Sequence, residues 1–209
     1  MQQHNFDVDI HISSSNQKIK INKEFISVNQ NTISCEDITA IKYGVSLVGP
    51  SKKPIRKDYI IDIKSKDGKT LEIRFQSSKV EQLLEEDHTY YYIMSGVWQY
   101  VKKQLISNYI EILNEEESFE IGNTIINNLG FTMTYKTWFW GKTKQELVPW
   151  NDLKYYLKEG ILCVDSIGDK RKKSKFSLHN DWNAVVLNTL LHYLWQDHRK
   201  EKLAKGEKI

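Results

Sequence analysis

Apolar and polar residues alternate with a period of two over much of the chain, a pattern that predicts short, half-buried β-strands. Tyr59–Phe75 is typical of a hairpin with its turn at Asp67-Gly68. Two segments instead repeat apolar residues at helical spacing, Tyr90–Leu105 and Trp182–Trp195. Gly96 inside the first helix predicts a close backbone contact, because glycine weakens a helix unless packing requires it. The pattern therefore predicts a mainly β protein with two amphipathic helices.

The pattern of the first half recurs in the second half. An offset of 97 residues aligns Trp98 with Trp195 in the two predicted helices. The offset is larger in earlier blocks, so the first half carries insertions, the larger of them in Gly44–Asp58. Because the blocks keep the same order, they favour a tandem duplication: Thr32–Ile38 recurs as Leu147–Leu153, and Ile60–Phe75 recurs without a gap as Ile161–Phe176.

The repeat predicts two domains, each long enough to bury a core of its own. They cover residues 18–110 and 119–200, joined by an acidic linker at 111–118, with a lead-in segment at 1–17 and a charged tail at 201–209. Each domain should contain about seven strands followed by a helix that closes the open end of a bent antiparallel sandwich or barrel. We expect the bulky Trp195 to plug that end of the second domain.

The segment Val148–Leu153, with the sequence VPWNDL, resembles a strand ending found in bacterial pleckstrin-homology-like (PH-like) domains. Thr32–Ile38 matches this element more weakly, since it lacks the proline and the tryptophan. Trp98 and Trp195 are similar to the tryptophan common in the closing helix of that family. The resemblance implies two tandem PH-like units, each a bent antiparallel β-sandwich or barrel closed by a C-terminal α-helix. It also implies a binding module rather than an enzyme, although the fold does not fix the ligand.

Composition narrows the functional classes. The 30 basic and 27 acidic residues give a net charge of +3, far from the excess expected of a dedicated nucleic-acid binder. The six histidines are scattered, and no phosphate-binding loop, nucleophile motif or cysteine pair accompanies them, so we expect no catalysis, cofactor or metal. Cys35 and Cys163 lie in different halves and should be reduced thiols. Without a signal segment or a long apolar run, the chain is predicted to be cytoplasmic.

Three features of the sequence are candidate binding surfaces. In PH-like domains the phosphoinositide site lies around the first strand hairpin, but here that region has no lysine or arginine in either half. A charge run is usually a solvated loop tip, and the tryptophans could instead pack against Trp150, so both alternatives stay open. The features are the Gly44–Asp58 loop with Lys52, Lys53, Arg56 and Lys57, the predicted turn with Lys170, Arg171, Lys172, Lys173 and Lys175, and the hairpin with Trp138, Trp140 and Lys142.

Two functions fit these features. The first is a non-catalytic adaptor that presents sheet edges and loops to a protein partner, since an edge strand can accept an extended peptide. The alternative is peripheral attachment to an anionic membrane through the basic loops and the aromatic hairpin. The sequence favours the protein partner and predicts no nucleic-acid or metal partner.

Overall fold

A computed structural model describes residues 6–137 and 141–204, with side chains described as far as residue 196. Contacts divide the chain into two compact units, Met1–Leu105 (unit 1) and Ile106–Ile209 (unit 2). The protein is mainly β, with 46% strand and 26% helix, and this confirms the predicted class. Among the described helices, none has the length and apolar character needed to cross a membrane.

Unit 1 contains two antiparallel sheets whose strands lie side by side in chain order. Strand β1 lies in the segment that the sequence set apart as a lead-in, yet it pairs with β2 and buries Val8. The first sheet is β1 (Val8–Ile12), β2 (Gln17–Ile21), β3 (Phe25–Val28) and β4 (Asn31–Ser34), and the second is β5 (Ile38–Val48), β6 (Arg56–Ser65) and β7 (Thr70–Ser77).

A long helical segment follows β7. It consists of α1 (Glu85–Val97), a π-helical turn (Trp98–Lys102) and α2 (Lys103–Asn114), so it is longer at both ends than the predicted helix. The first residues of the predicted linker lie in α2. A Cβ atom on Gly96 would lie 3.0 Å from Val8 Cγ2, which confirms the predicted close contact.

Unit 2 has the same element order as unit 1. A four-stranded sheet is followed by a 3-10 turn (Trp150–Asp152), a three-stranded sheet and a helix, α3 (Ala184–Ala204), whose Val186, Leu187 and Leu190 are fully buried. The sheets are β8 (Ser118–Ile121), β9 (Thr124–Asn127), β10 (Gly130–Lys136) and β11 (Thr143–Pro149), then β12 (Leu153–Lys158), β13 (Ile161–Ser166) and β14 (Lys173–Ser177).

Strand register corrects the gap-free alignment of the two halves. Ile61 pairs with Ile73 in unit 1, whereas Leu162, which aligns with Ile61, pairs with Phe176 in unit 2. The position of Phe176 therefore corresponds to Ile73 and not to Phe75. The turn between β13 and β14 is two residues longer than the turn between β6 and β7, and two aromatic residues in similar places concealed this difference.

The insertion of unit 1 lengthens a hairpin rather than forming a loop. Strands β5 and β6 have 11 and 10 residues, whereas their counterparts β12 and β13 have 6 each. Only residues 49–55 form the turn, closed by a bond from the Ile55 amide to the Val48 carbonyl. The prediction of an exposed loop over Gly44–Asp58 is therefore wrong, and Arg56 and Lys57 lie in β6.

Candidate functional site

Unit 2 contains an apolar cavity of about 330 Å³ between its edge strand and its closing helix. Leu153 and Tyr155 of β12 form one wall, and Leu191, Leu194 and Trp195 of α3 form another. Strand alternation places residues two apart on the same face, and helical periodicity does so for residues three and four apart. The walls therefore follow directly from the two secondary structures that meet here.

Trp195 lies at the mouth of this cavity. Its ring meets Tyr155 edge to face, with centroids 6.1 Å apart, and its side chain is 45% exposed. The expectation that Trp195 plugs the domain interior is wrong, because Leu187, Leu190 and Leu191 already fill that position. An exposed indole beside an apolar cavity is instead suited to contact a ligand.

Trp150 forms the end wall, and local structure holds it rigidly. Its Nε1 donates to the Asn127 carbonyl at 3.1 Å, and its ring packs edge to face on Phe131 at 5.1 Å. The backbone of Gly130 lies close to the backbone of Val148. Gly130 has φ +155, and a Cβ atom on it would lie 2.1 Å from the Val148 carbonyl oxygen, so a larger residue does not fit. The VPWNDL segment thus places a fixed aromatic side chain against the cavity.

The chemistry of the lining favours an uncharged group. Asn114, Asn128 and Asn151 supply amides at the cavity, and none of its described lining residues carries a formal charge. Burial raises the pKa of Tyr155, so its hydroxyl stays neutral near physiological pH. The site can therefore enclose an aromatic or aliphatic group and offer amide hydrogen bonds around it.

Strand β12 beside the cavity is the edge of its sheet. In the described residues it pairs only with β13. Lys154, Tyr156 and Lys158 are exposed and alternate with the cavity-lining residues. An extended segment added to β12 would thus face apolar residues on one side and lysines on the other.

The structure separates the four basic residues predicted for unit 1. Lys52 and Lys53 are exposed in the turn, and Arg56 bonds to the carboxylate of Asp58 in its own strand. Lys57 is only 8% exposed. The prediction that Lys57 lies at a loop tip is therefore wrong, because Lys57 lies in β6 on the same buried face as Tyr59.

Lys57 belongs to a buried polar cluster at the start of α1. Its Nζ donates to both oxygens of Asp87 at 2.9 Å and to the Gln82 carbonyl at 3.1 Å. Tyr59 and the Leu84 amide also donate to the Asp87 carboxylate. Burial alone would raise the pKa of Asp87, but these bonds outweigh it and hold that pKa below its ordinary value. The cluster joins β6 to the helix and is satisfied internally.

The basic turn of unit 2 is partly neutralised. Arg171 pairs with Asp169 at 2.8 Å, and Lys172 pairs with Glu146 at 2.5 Å. Both cations lie within 6 Å of the Tyr135 ring, whose hydroxyl donates to Glu146. The structure thus joins this turn to the β10–β11 hairpin. The remaining predicted lysines of the unit are exposed, namely Lys142, Lys170, Lys173 and Lys175, whereas Trp138 and Trp140 lie outside the described residues.

A second buried lysine escaped sequence analysis. Lys102 of the π-helical turn donates to the Tyr43 hydroxyl at 2.6 Å, and its Nζ lies 5.1 Å from the centre of the Trp98 ring. Burial lowers the pKa of Lys102 to about 8 and raises the pKa of Tyr43 to about 12. Helical spacing from Trp98 to Lys102 placed both on one face, but nothing in the sequence indicated that the ammonium was buried.

No family model, no curated protein and no solved structure matches the chain. Among the described residues, no group of three or more histidine, cysteine, aspartate or glutamate side chains is placed to hold a metal ion.

Proposed function

We propose that this protein is a non-catalytic adaptor built from two tandem PH-like units, and that unit 2 binds an extended segment of a protein partner. The repeated order of four strands, three strands and a helix supports this proposal, as does the VPWNDL segment before β12. The cavity between β12 and α3 is the observation on which the binding site rests.

In this proposal the partner segment pairs with the outer edge of β12 and places one large apolar side chain in the cavity. Main-chain bonds to the edge supply affinity, and the cavity supplies specificity. Burying one aromatic or aliphatic side chain contributes about 1.5–3 kcal/mol, so one anchor with a short strand gives modest affinity. Lys154 and Lys158 on the opposite face favour acidic residues next to the anchor.

A random peptide library displayed on phage tests this site. We expect the full chain to enrich peptides that share one aromatic or large aliphatic position. Trp195→Ala should weaken binding of a selected peptide by about tenfold or more, since hot-spot tryptophans carry over about 1.4 kcal/mol. Tyr193→Ala is the matched control, because Tyr193 is 43% exposed on the same helix and does not belong to the lining residues.

Two outcomes would count against peptide binding in the cavity, and a third would move the peptide to another part of α3. One is a selection without a shared apolar position. The other is a selected peptide whose affinity is the same for the parent chain and for Trp195→Ala, while Tyr155→Ala also leaves it unchanged. Binding that both Trp195→Ala and Tyr193→Ala reduce equally would place the peptide elsewhere on α3.

Membrane attachment is the second candidate, and the link between the basic turn and the β10–β11 hairpin favours it. Arg171 and Lys172 stack on Tyr135, so two predicted features meet in one unit. Burial of Lys57 and the carboxylates of Asp169 and Glu146 reduce the available positive charge. On balance the charges support the protein partner more strongly than the membrane.

Flotation with anionic and neutral liposomes distinguishes the two candidates. Membrane attachment requires salt-sensitive binding to anionic liposomes that is lost when Lys170, Lys173 and Lys175 are changed together to serine. Lys52→Ser with Lys53→Ser serves as the control of similar charge change in unit 1. No flotation with anionic liposomes at low salt would eliminate this candidate.

A further inference from the structure

The outer half of β5 in unit 1 is a long and unprotected sheet edge. Its residues from Tyr43 to Val48, with the sequence YGVSLV, pair on one side with β6 and on the other side with no strand in the described part of the chain. This stretch contains no charged residue and no proline. Monomeric proteins usually protect such edges with lysines, prolines or bulges, and the bulge of β5 lies at its other end, between Ile38 and Ala40.

The side chains beside this edge are apolar and exposed. Val45 and Leu47 share one face of β5 and are 43% and 60% exposed. Ile55, where the chain returns toward β6, is 61% exposed. An uncharged edge that also carries an apolar face is the combination that strand pairing between chains requires.

We propose that two copies of this chain pair through β5, forming an antiparallel, two-fold symmetric dimer with one continuous six-stranded sheet. A two-fold axis through Ser46 pairs Val45 of each copy with Leu47 of the other. Directly opposite residues of antiparallel strands lie on the same face, so these four side chains form one apolar cluster. A self-complementary patch of this kind is what a two-fold interface needs.

Charge complementarity supports a second copy as the occupant. In the antiparallel arrangement the turn of each hairpin, with exposed Lys52 and Lys53, lies beside the end of β5 that follows exposed Glu36 in the other copy, while Asp37 pairs with Lys66 of its own copy. Glu36 therefore approaches Lys52 and Lys53 of the other copy at each end, Lys42 stays paired with Asp62 of its own copy, and the uncharged residues pair in the middle. The proposal is independent of peptide binding in unit 2, since the two surfaces belong to different units.

Sedimentation velocity of the full chain over a wide range of concentrations tests the dimer. We expect a reversible shift from monomer to dimer, and Val45→Lys with Leu47→Lys should weaken dimerisation by at least about tenfold, because each substitution acts twice in a symmetric interface. Ile167→Lys is the matched control, since Ile167 is 61% exposed in unit 2. A chain that stays monomeric throughout, or a dimer that the double variant leaves unchanged, overturns the proposal.

Cross-linking checks the register independently of stability. Ser46→Cys places two thiols opposite each other across the axis, so mild oxidation should give a covalent dimer. Ser51→Cys in the exposed turn of the same hairpin should not. The native Cys35 and Cys163 are both buried and should stay unreacted. Equal cross-linking of the two variants, or none with Ser46→Cys, overturns the proposed register.

Discussion

The space between edge strand and closing helix differs between the two units. In unit 1 the ammonium of Lys102 fills it, bonded to Tyr43 and lying over the Trp98 ring. In unit 2 Tyr155 of the edge strand, whose register position matches Ile41 and not Tyr43, meets Trp195 at the mouth of an open cavity. Both units thus use one tyrosine from the strand and one tryptophan from the helix, and in unit 2 these two side chains line a space that a ligand can enter.

A lysine side chain therefore lies in this space in unit 1, whereas unit 2 has an apolar cavity there. The element order is the same in both units, so the difference does not come from topology. Lys102 lies in the π-helical turn of unit 1 and donates to Tyr43, whereas the described part of α3 in unit 2 is α-helical throughout. The edge strand of unit 1 is also longer than that of unit 2, and its last six residues, Tyr43–Val48, are uncharged.

The largest expected effect is at the buried cluster, which is specific to unit 1. Asp87→Ala should destabilise the chain by about 3–5 kcal/mol, because it leaves the ammonium of Lys57 buried without its anion. Denaturant unfolding followed by hydrogen exchange of unit 1 peptides measures the loss. Adding Lys57→Met to Asp87→Ala should recover most of it. A loss below about 1 kcal/mol would show that the cluster is solvated.

Acid should weaken the same cluster. The pKa of Asp87 is lower in the folded chain than in the unfolded chain, so the unfolded chain binds more protons as the carboxylate titrates. Stability is therefore fully present above the ordinary carboxyl pKa of about 4 and is lost as the pH falls through the folded pKa. Unfolding measured at a series of acidic pH values should show this slope, and Asp87→Ala with Lys57→Met should reduce it.

Lys102→Met should stabilise unit 1 at neutral pH by roughly 1–2 kcal/mol, since a buried ammonium that pairs with no carboxylate among the described residues is replaced by an apolar chain of similar length. The pKa of Lys102 is about 8 in the folded chain, below its ordinary value of 10.5. The unfolded chain therefore binds more protons between these values, and stability should rise with pH from about 8 to about 10. Equal slopes in the parent chain and Lys102→Met would contradict the burial of this charge.

Trp195→Ala should cost about 1–2 kcal/mol, less than removal of a fully buried tryptophan, because nearly half of the side chain is already exposed. Thermal and denaturant melts of the full chain measure it. A loss above about 3 kcal/mol would mean that the indole supports the core of unit 2 after all. If Trp195→Ala weakens peptide binding by about tenfold but lowers the free energy of unfolding by only about 1–2 kcal/mol, the indole contributes to binding more than to the stability of unit 2.

The smallest effect is expected in the turn of unit 1. Changing Lys52, Lys53 and Arg56 together to serine should shift the free energy of unfolding by no more than about 0.5 kcal/mol, since these side chains are exposed. Adding Lys57→Ser should lower stability by several times that amount. If the triple variant alone produced the large loss, the exposed residues and not Lys57 would stabilise the hairpin.

Periodicity predicted most of the strands and the apolar faces of the two helices, because those features repeat locally, but it missed the last residues of β5 and the first residues of β6. The start of α1 was missed since its N-cap, Leu84, has no side-chain acceptor, and Asp87 fixes the helix start through the Leu84 amide instead. The place of Lys57 could have been inferred by continuing the alternation of Tyr59 and Ile61 backward by one step.

The candidate site was harder to predict than the fold. Its walls come from β12, α3 and the turn that holds Trp150, which are far apart in sequence. Helical periodicity identified the face of α3 but not where packing against the sheet ends, so Trp195 was placed in the interior. The basic runs can be identified from sequence because their residues are contiguous. The cavity cannot, because its lining residues come from segments that are far apart in the chain.

The bond between Lys57 and Asp87 also constrains the order in which unit 1 can fold. The two residues are 30 positions apart, so during synthesis Lys57 is made well before the helix that carries its anion. Until α1 packs against the sheet, excluding water from this end of β6 would bury an unpaired ammonium at a cost of several kcal/mol. The nascent sheet must therefore keep this end hydrated, and docking of α1 should coincide with loss of that water in a single late step.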